Sequence, residues 1–329
     1  MVSPFPPSTS EAGEGRLVAE LSPQKTSTLS TVAFQYPLKL ISPSISPNQK
    51  SVLVFLLSYG GGLVAGDQIH LTIIVKKSAK LSIVTQGHTK IFKCPSPEVI
   101  TRQKLHVSIA EEAALCLLPD PVQPFGSSIY EQSQVFVVAE SGSLCLLDWV
   151  SEGRTARGES WDLWSWSGRN EVWSSSQLGK KSRLLVRDKV VLGAKSVNGQ
   201  EKTLKREMHG LQIFGTLVLK GPLLEPLAAF FLKEFSALPR IGGRDFRSQD
   251  MKDKDNTLVL SSQEVWRRDR LQQEVSDGVL WSAAKVRGCT IIKFGARSVE
   301  SGRLWIGDII REEGSVSRCF GEDATMCLR

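Results

Sequence analysis

The sequence predicts a mainly β protein, with many short strands in a sandwich or β-coil arrangement and about two α-helices packed on it. Runs of strand length, either continuous apolar or alternating apolar and polar, recur at intervals of roughly 8 to 12 residues. Proline, glycine and acidic residues punctuate them. The 3.6-residue spacing of an amphipathic helix occurs in only two stretches.

In chain order, residues 1–15 are rich in Pro, Ser and Gly and read as a disordered tail, with structure beginning near Arg16. Leu38 to Ile45 and Val52 to Ser58 are strand candidates, with Pro43 and Pro47 marking the turn because proline cannot donate to a sheet ladder. Ile69, Leu71, Ile73 and Val75 alternate with more polar neighbours, the period of a half-buried strand, and Leu81, Ile83 and Thr85 continue it. Further runs follow at Leu105 to Ile109, Ala113 to Leu118, Gln134 to Val138, Ser143 to Val150, Arg183 to Leu192 and Leu211 to Leu219. Pro222 to Ala237 gathers Leu223, Leu224, Leu227, Phe230, Phe231 and Phe235 on one helical face. Residues 239–262 are charged, carry glycine and lack apolar anchors, so they read as a disordered surface insertion. Two strands, Gly278 to Val286 and Cys289 to Gly295, precede the second helix, Ser298 to Arg311.

Composition sets outer bounds. A chain of 329 residues that is 41% hydrophobic and 23% charged can bury a sizeable core and is not disordered as a whole. No apolar run approaches the about 18 residues that span a bilayer, and the N-terminus lacks the features of a signal or transit peptide, so a cytoplasmic protein with no membrane partner is expected. The six cysteines show no CxxC spacing. Cys116 and Cys145 sit in apolar runs as buried thiols, and Cys94 lies near His88 and Lys90. Of the net charge of +7, much falls in residues 180–206, where nine Lys or Arg face only Asp188 and Glu201. Without an interleaved aromatic pattern this segment does not read as a nucleic-acid site; a solvated face or a protein-docking face remain. Trp161, Trp164 and Trp166 mark either a binding surface or core.

The glycine-rich stretch Gly60-Gly61-Gly62-Leu63-Val64-Ala65-Gly66-Asp67 joins strand to strand. It therefore lacks the helix that a dinucleotide fingerprint requires, and Asp67 stands where a phosphate loop needs lysine. The four histidines are scattered, and neither a GxSxG elbow nor a metal-ligand pair at helical spacing is present, so no enzyme is predicted.

Four motifs stand in order along this part of the chain: Gly61-Gly62-Leu63-Val64-Ala65-Gly66-Asp67; Thr85-Gln86-Gly87-His88-Thr89-Lys90-Ile91-Phe92; Leu118-Pro119-Asp120-Pro121 with Phe125; and Gly153-Arg154-Thr155-Ala156-Arg157-Gly158-Glu159. Together they resemble the signatures of urease accessory protein D, the UreD/UreH family, in a eukaryotic, fungal-type form. The resemblance implies one β-rich domain over residues 16–329. It also implies a scaffold that binds urease apoprotein and accessory protein F, and through F the accessory G protein, a GTPase, while nickel is inserted into urease. No tightly bound cofactor is implied, only nickel in transit. Gly61, Gly62, Gly66, Asp67, Thr85, Gly87, Lys90, Arg154, Arg157 and Glu159 are the candidate motif and polar-path residues. Asp67 and Glu159 are the candidate transient nickel contacts, because carboxylates hold Ni²⁺ weakly enough to release it. Two other roles stay open: Asp67 capping its own turn, and Glu159 pairing with Arg154 or Arg157. A β-rich adaptor without metal traffic is the alternative function.

Overall fold

In the computed structural model, residues 11–44, 49–175, 182–193, 195–197, 200–238 and 261–329 are described. Residues 1–10 of the expected tail and 239–260 of the expected insertion lie outside them. The chain starts with the hairpin β1 (Glu14–Leu21) and β2 (Ser27–Phe34), then β3 (Leu38–Ile41). It next winds as a coil. The first turn is β4 (Val52–Ser58), β5 (Gly62–Leu63) and β6 (Gln68–Val75). The second is β7 (Lys80–Val84), β8 (Thr89–Ile91) and β9 (Thr101–Ile109), and the third is β10 (Ala114–Leu117), β11 (Val122–Pro124) and β12 (Ile129–Val138). The fourth joins β13 (Ser143–Ser151) to β14 (Ser165–Ser174), with a 3₁₀ turn at Thr155–Arg157 where the earlier turns carry a short strand.

Equivalent strands stack in parallel from turn to turn. One sheet contains β6, β9, β12 and β14, and the other β4, β7, β10 and β13. The short β5, β8 and β11 form a third parallel strip along one corner. Further strands complete the two large sheets: at one end β1, parallel to β6, with β2 and β3 antiparallel to β1 and β4, and at the other β15 (Arg183–Gly193), antiparallel to β14. After a small hairpin, β16 (Lys195–Val197) with β17 (Gln200–Lys202), the chain runs through α1 (Leu204–Glu207) into β18 (Ile213–Lys220) and α2 (Glu225–Ser236). It ends with α3 (Ser262–Asp277), β19 (Leu280–Val286), β20 (Cys289–Ala296), α4 (Val299–Glu313), α5 (Ser315–Phe320) and a 3₁₀ segment, Glu322–Leu328.

Burial explains the sequence patterns. Every residue of β13 is buried, because its two faces meet different cores. Leu144, Leu146 and Val150 point between the sheets, while Cys145, Leu147 and Trp149 pack under the helices. A strand covered on both faces reads as one continuous apolar run. On β12 only alternate residues turn inward, so Tyr130, Gln132, Gln134, Phe136 and Val138 are buried and the run alternates.

Three α-helices of twelve or more residues are described, against two expected. The additional one is α3, which starts at Ser261 with a reciprocal capping box to Glu264. Its buried residues are Arg270 and Glu274, not apolar ones. Glu234 of α2 pairs with Arg267 at 2.5 Å and with Arg270 at 3.0 Å; Arg270 also pairs with Glu274, which accepts the Trp305 Nε1–H at 2.7 Å. A helix docked by ion pairs leaves no apolar stripe to read. The expected strand ends also shift: β12 begins at Ile129, β14 covers a stretch where no strand was expected, and Glu14 and Gly15 already belong to β1.

Candidate functional site

The four sequence motifs occupy the same corner of successive coil turns, each linking a strand of one sheet to a strand of the other. In the first, the Asp67 carboxylate accepts the Val64 N–H at 2.7 Å and so closes its own turn. The Gly66 N–H donates to Thr101 Oγ1, and Gly61 is exposed with φ +72°. Gly62 pairs with Lys90 of the next turn, where a Cβ would lie 2.7 Å from the Lys90 carbonyl oxygen, so only glycine fits.

In the second and third turns, Thr85 and Gly87 clamp Asp120. Its Oδ2 accepts the Thr85 hydroxyl at 3.0 Å and the Gly87 N–H at 2.9 Å, and its Oδ1 accepts Arg303 Nη2 from α4 at 3.0 Å. Lys90 is exposed, and no ion pair is formed by it among the described residues. In the fourth turn, Glu159 forms a bidentate pair with Arg154, which holds its carboxyl below the usual range, and it also accepts the Arg154 N–H at 3.3 Å. The Arg154 guanidinium lies over the Phe125 ring. Arg157 faces solvent, so of the two arginines it is Arg154 that takes Glu159. The motifs thus share one edge of the coil while Asp67 and Glu159 are each engaged within their own loops.

Behind this edge lies a polar interior that the sequence reading missed. Asp148, on the inward face of β13, accepts Gln132 Nε2 at 2.8 Å and Asn170 Nδ2 at 2.6 Å. Gln134 Nε2 donates to Asn170 Oδ1 at 2.9 Å, and the Tyr130 hydroxyl donates to Gln132 Oε1 at 3.2 Å. Burial raises the Asp148 pKa, and the two amide donors only partly oppose this. A cavity of about 50 Å³, large enough for a few waters, is bordered by Thr85, Gln103, Asp120, Gln132, Gln134 and Asp148. At the far end of the series stands Asp188, bound by Lys293 at 2.8 Å and by the Thr216 hydroxyl at 3.2 Å. A signal for Asp148 did exist: it is the lone charge in the run Leu144-Cys145-Leu146-Leu147-Asp148-Trp149-Val150. A carboxylate amid buried apolar residues needs partners or a function.

Thr85 and Asp120 also border an open cleft of about 670 Å³ on the outer side, together with His88, Lys90, Arg303 and Cys327. This pair of residues therefore borders both the interior cavity and the outer cleft. His88 is held below its ordinary pKa, first by burial and then by Arg303 and Lys90, with Asp120 opposing; burial pushes the Cys327 thiol up to about 11.

Of the tryptophans, Trp161 and Trp166 are core, while Trp164 is 39% exposed. Cys94 is buried and accepts the Ile129 N–H at 3.4 Å. All six cysteines are free thiols, and no cluster of three or more metal-ligating side chains occurs among the described residues. No described helix is long and apolar enough to cross a membrane.

Fold and site together define a parallel β-coil scaffold with a polar interior, closed at one corner by four motif-bearing loops. The family model of the UreD urease accessory protein matches residues 11–319, and the chain belongs to that family. A urease accessory protein ureD-like of Schizosaccharomyces pombe is 35% identical over 274 residues, covering 83% of this chain and 84% of its own. Urease accessory protein 4 of Cryptococcus neoformans is 30% identical over 94% of this chain and 93% of its own. Urease accessory protein D of Arabidopsis thaliana is 30% identical over 61% of this chain and 66% of its own.

Proposed function

We propose that this chain is a cytoplasmic, non-enzymatic scaffold for urease maturation. It binds urease apoprotein and accessory protein F, recruits the accessory GTPase through F, and passes nickel through its interior toward the urease active site. The observation that carries the nickel step is the placement of two carboxylates, Asp120 and Asp148, on one interior cavity, with Asp188 beyond them. Carboxylate and amide oxygens offset part of the hydration lost by a divalent ion yet bind it far less firmly than thiolates. Burial holds the Asp148 pKa above the ordinary aspartate range, so protons compete with Ni²⁺ for the same carboxylate and transfer should weaken as the pH falls.

In this reading the interior carboxylates come before Asp67 and Glu159, which would act at the entrance only if their loops opened. The adaptor reading draws less support, since two of its three tryptophans are buried. Urease purified from cells that lack this chain should be nickel-poor and inactive at normal urease levels, and restoring the chain should recover both. Fully loaded urease without the chain would refute the maturation role.

A further inference from the structure

The outer cleft carries more positive charge than its single carboxylate uses. All three polar contacts of Asp120, to Thr85, Gly87 and Arg303, are made, so it neutralises one cation and has no oxygen left unengaged. The Lys90 ammonium remains, exposed and unpaired among the described residues. Arg303 keeps a buried Nε–H with no hydrogen-bond acceptor, from which the Glu300 carboxylate stands off at 4.0 Å. His88 adds a neutral ring that can donate an N–H. A divalent cation fits this set poorly, because Lys90 and Arg303 repel it and the Cys327 thiol stays protonated.

We propose that the cleft between Lys90 and Arg303, with His88 as a third donor, binds a small oxyanion, either a carboxylate or a tetrahedral anion of the phosphate kind. A guanidinium offers such oxygens a fork of N–H groups, and an ammonium adds a point charge beside it. Binding has a consequence inside the coil. Because Asp120 borders both spaces, an anion that draws Arg303 away releases one Asp120 oxygen toward the cavity; this consequence rests on the nickel-path reading, whereas the binding itself does not.

The test is an amide NMR titration of the full chain in nickel-free buffer. Sodium phosphate and sodium formate serve as probes, and sodium chloride at matched ionic strength as the control. Saturable shifts at Gly87, His88 and Thr89 with either oxyanion, absent with chloride, are expected, and the probe that saturates identifies the class. Lys90→Met removes an exposed charge, should leave Tm unchanged, and should weaken binding by about twofold to fivefold. Shifts that merely follow ionic strength, or that are the same in Lys90→Met, would overturn the proposal. Since no nickel enters the experiment, that failure would leave the nickel-path reading standing.

Discussion

Asp148 is the residue on which the interior depends. Its carboxylate lies between Gln132 and Asn170, out of reach of bulk water, and burial raises its pKa. The folded protein therefore holds this proton more tightly than the unfolded chain. The stability the group contributes is complete below the ordinary aspartate range and is lost as the pH rises through the raised value. Asp148→Asn removes that loss without changing shape. The Tm of the variant relative to wild type should therefore climb as the pH rises above about 4, the ordinary aspartate range; a flat difference in thermal melts would contradict it. Gly62 makes a second, steric case: Gly62→Ala drives a methyl into Lys90, and urea unfolding should show a loss of about 1–3 kcal/mol. The sequence pointed to Gly62 through its motif, but it pointed to Asp67 and Glu159 ahead of Asp148. A motif records residues that shape loops as readily as residues that face a cavity, and single-sequence spacing does not distinguish them.

Helix α3 and the charges that dock it show why some elements were readable and others were not. Strands β6 and β9 and helices α2 and α4 bury apolar residues at the period of their backbone, and β13 is one continuous buried run of strand length, so the pattern announces them. The polar contacts of α3 run instead through Arg267 and Arg270 to the fully buried Glu234, and through Glu274 to Trp305. Its start was nonetheless written in Ser261 and Glu264, a capping box that a helix-terminus search would have caught. Truncating Glu234 strands the Arg267 guanidinium and leaves the buried Arg270 with Glu274 alone, so Glu234→Ala should lose about 3–5 kcal/mol in denaturant unfolding. Ser261→Ala should cost about 1 kcal/mol by the same measurement, since it removes only the cap. Equal losses from the two variants would show that the buried cluster contributes little.

Across the molecule, the coil accounts for the spacing of the motifs. Gly62, Lys90 and Gln123 lie side by side in the third strip because each complete turn returns the chain to the same corner. The glycine loop, the threonine-lysine motif, the Asp120 loop and the arginine-glutamate loop are thus successive layers of one edge. The β-rich class and the strand positions followed from alternation and turn residues, and a β-coil was one of two arrangements they allowed. What selects it is the parallel pairing of strands two or three apart in sequence order, a long-range choice that local periodicity does not encode. The same winding brings Asp120, from the third turn, onto a cavity it shares with Asp148, from the fourth. The most direct test of the nickel path is the metal content of urease matured in cells whose copy of this chain carries Asp148→Asn. Urease expression and recovery of the accessory complex must be matched to wild type. Intact complexes with urease left largely nickel-free are predicted. Wild-type nickel content in that urease would mean that the metal does not travel past Asp148.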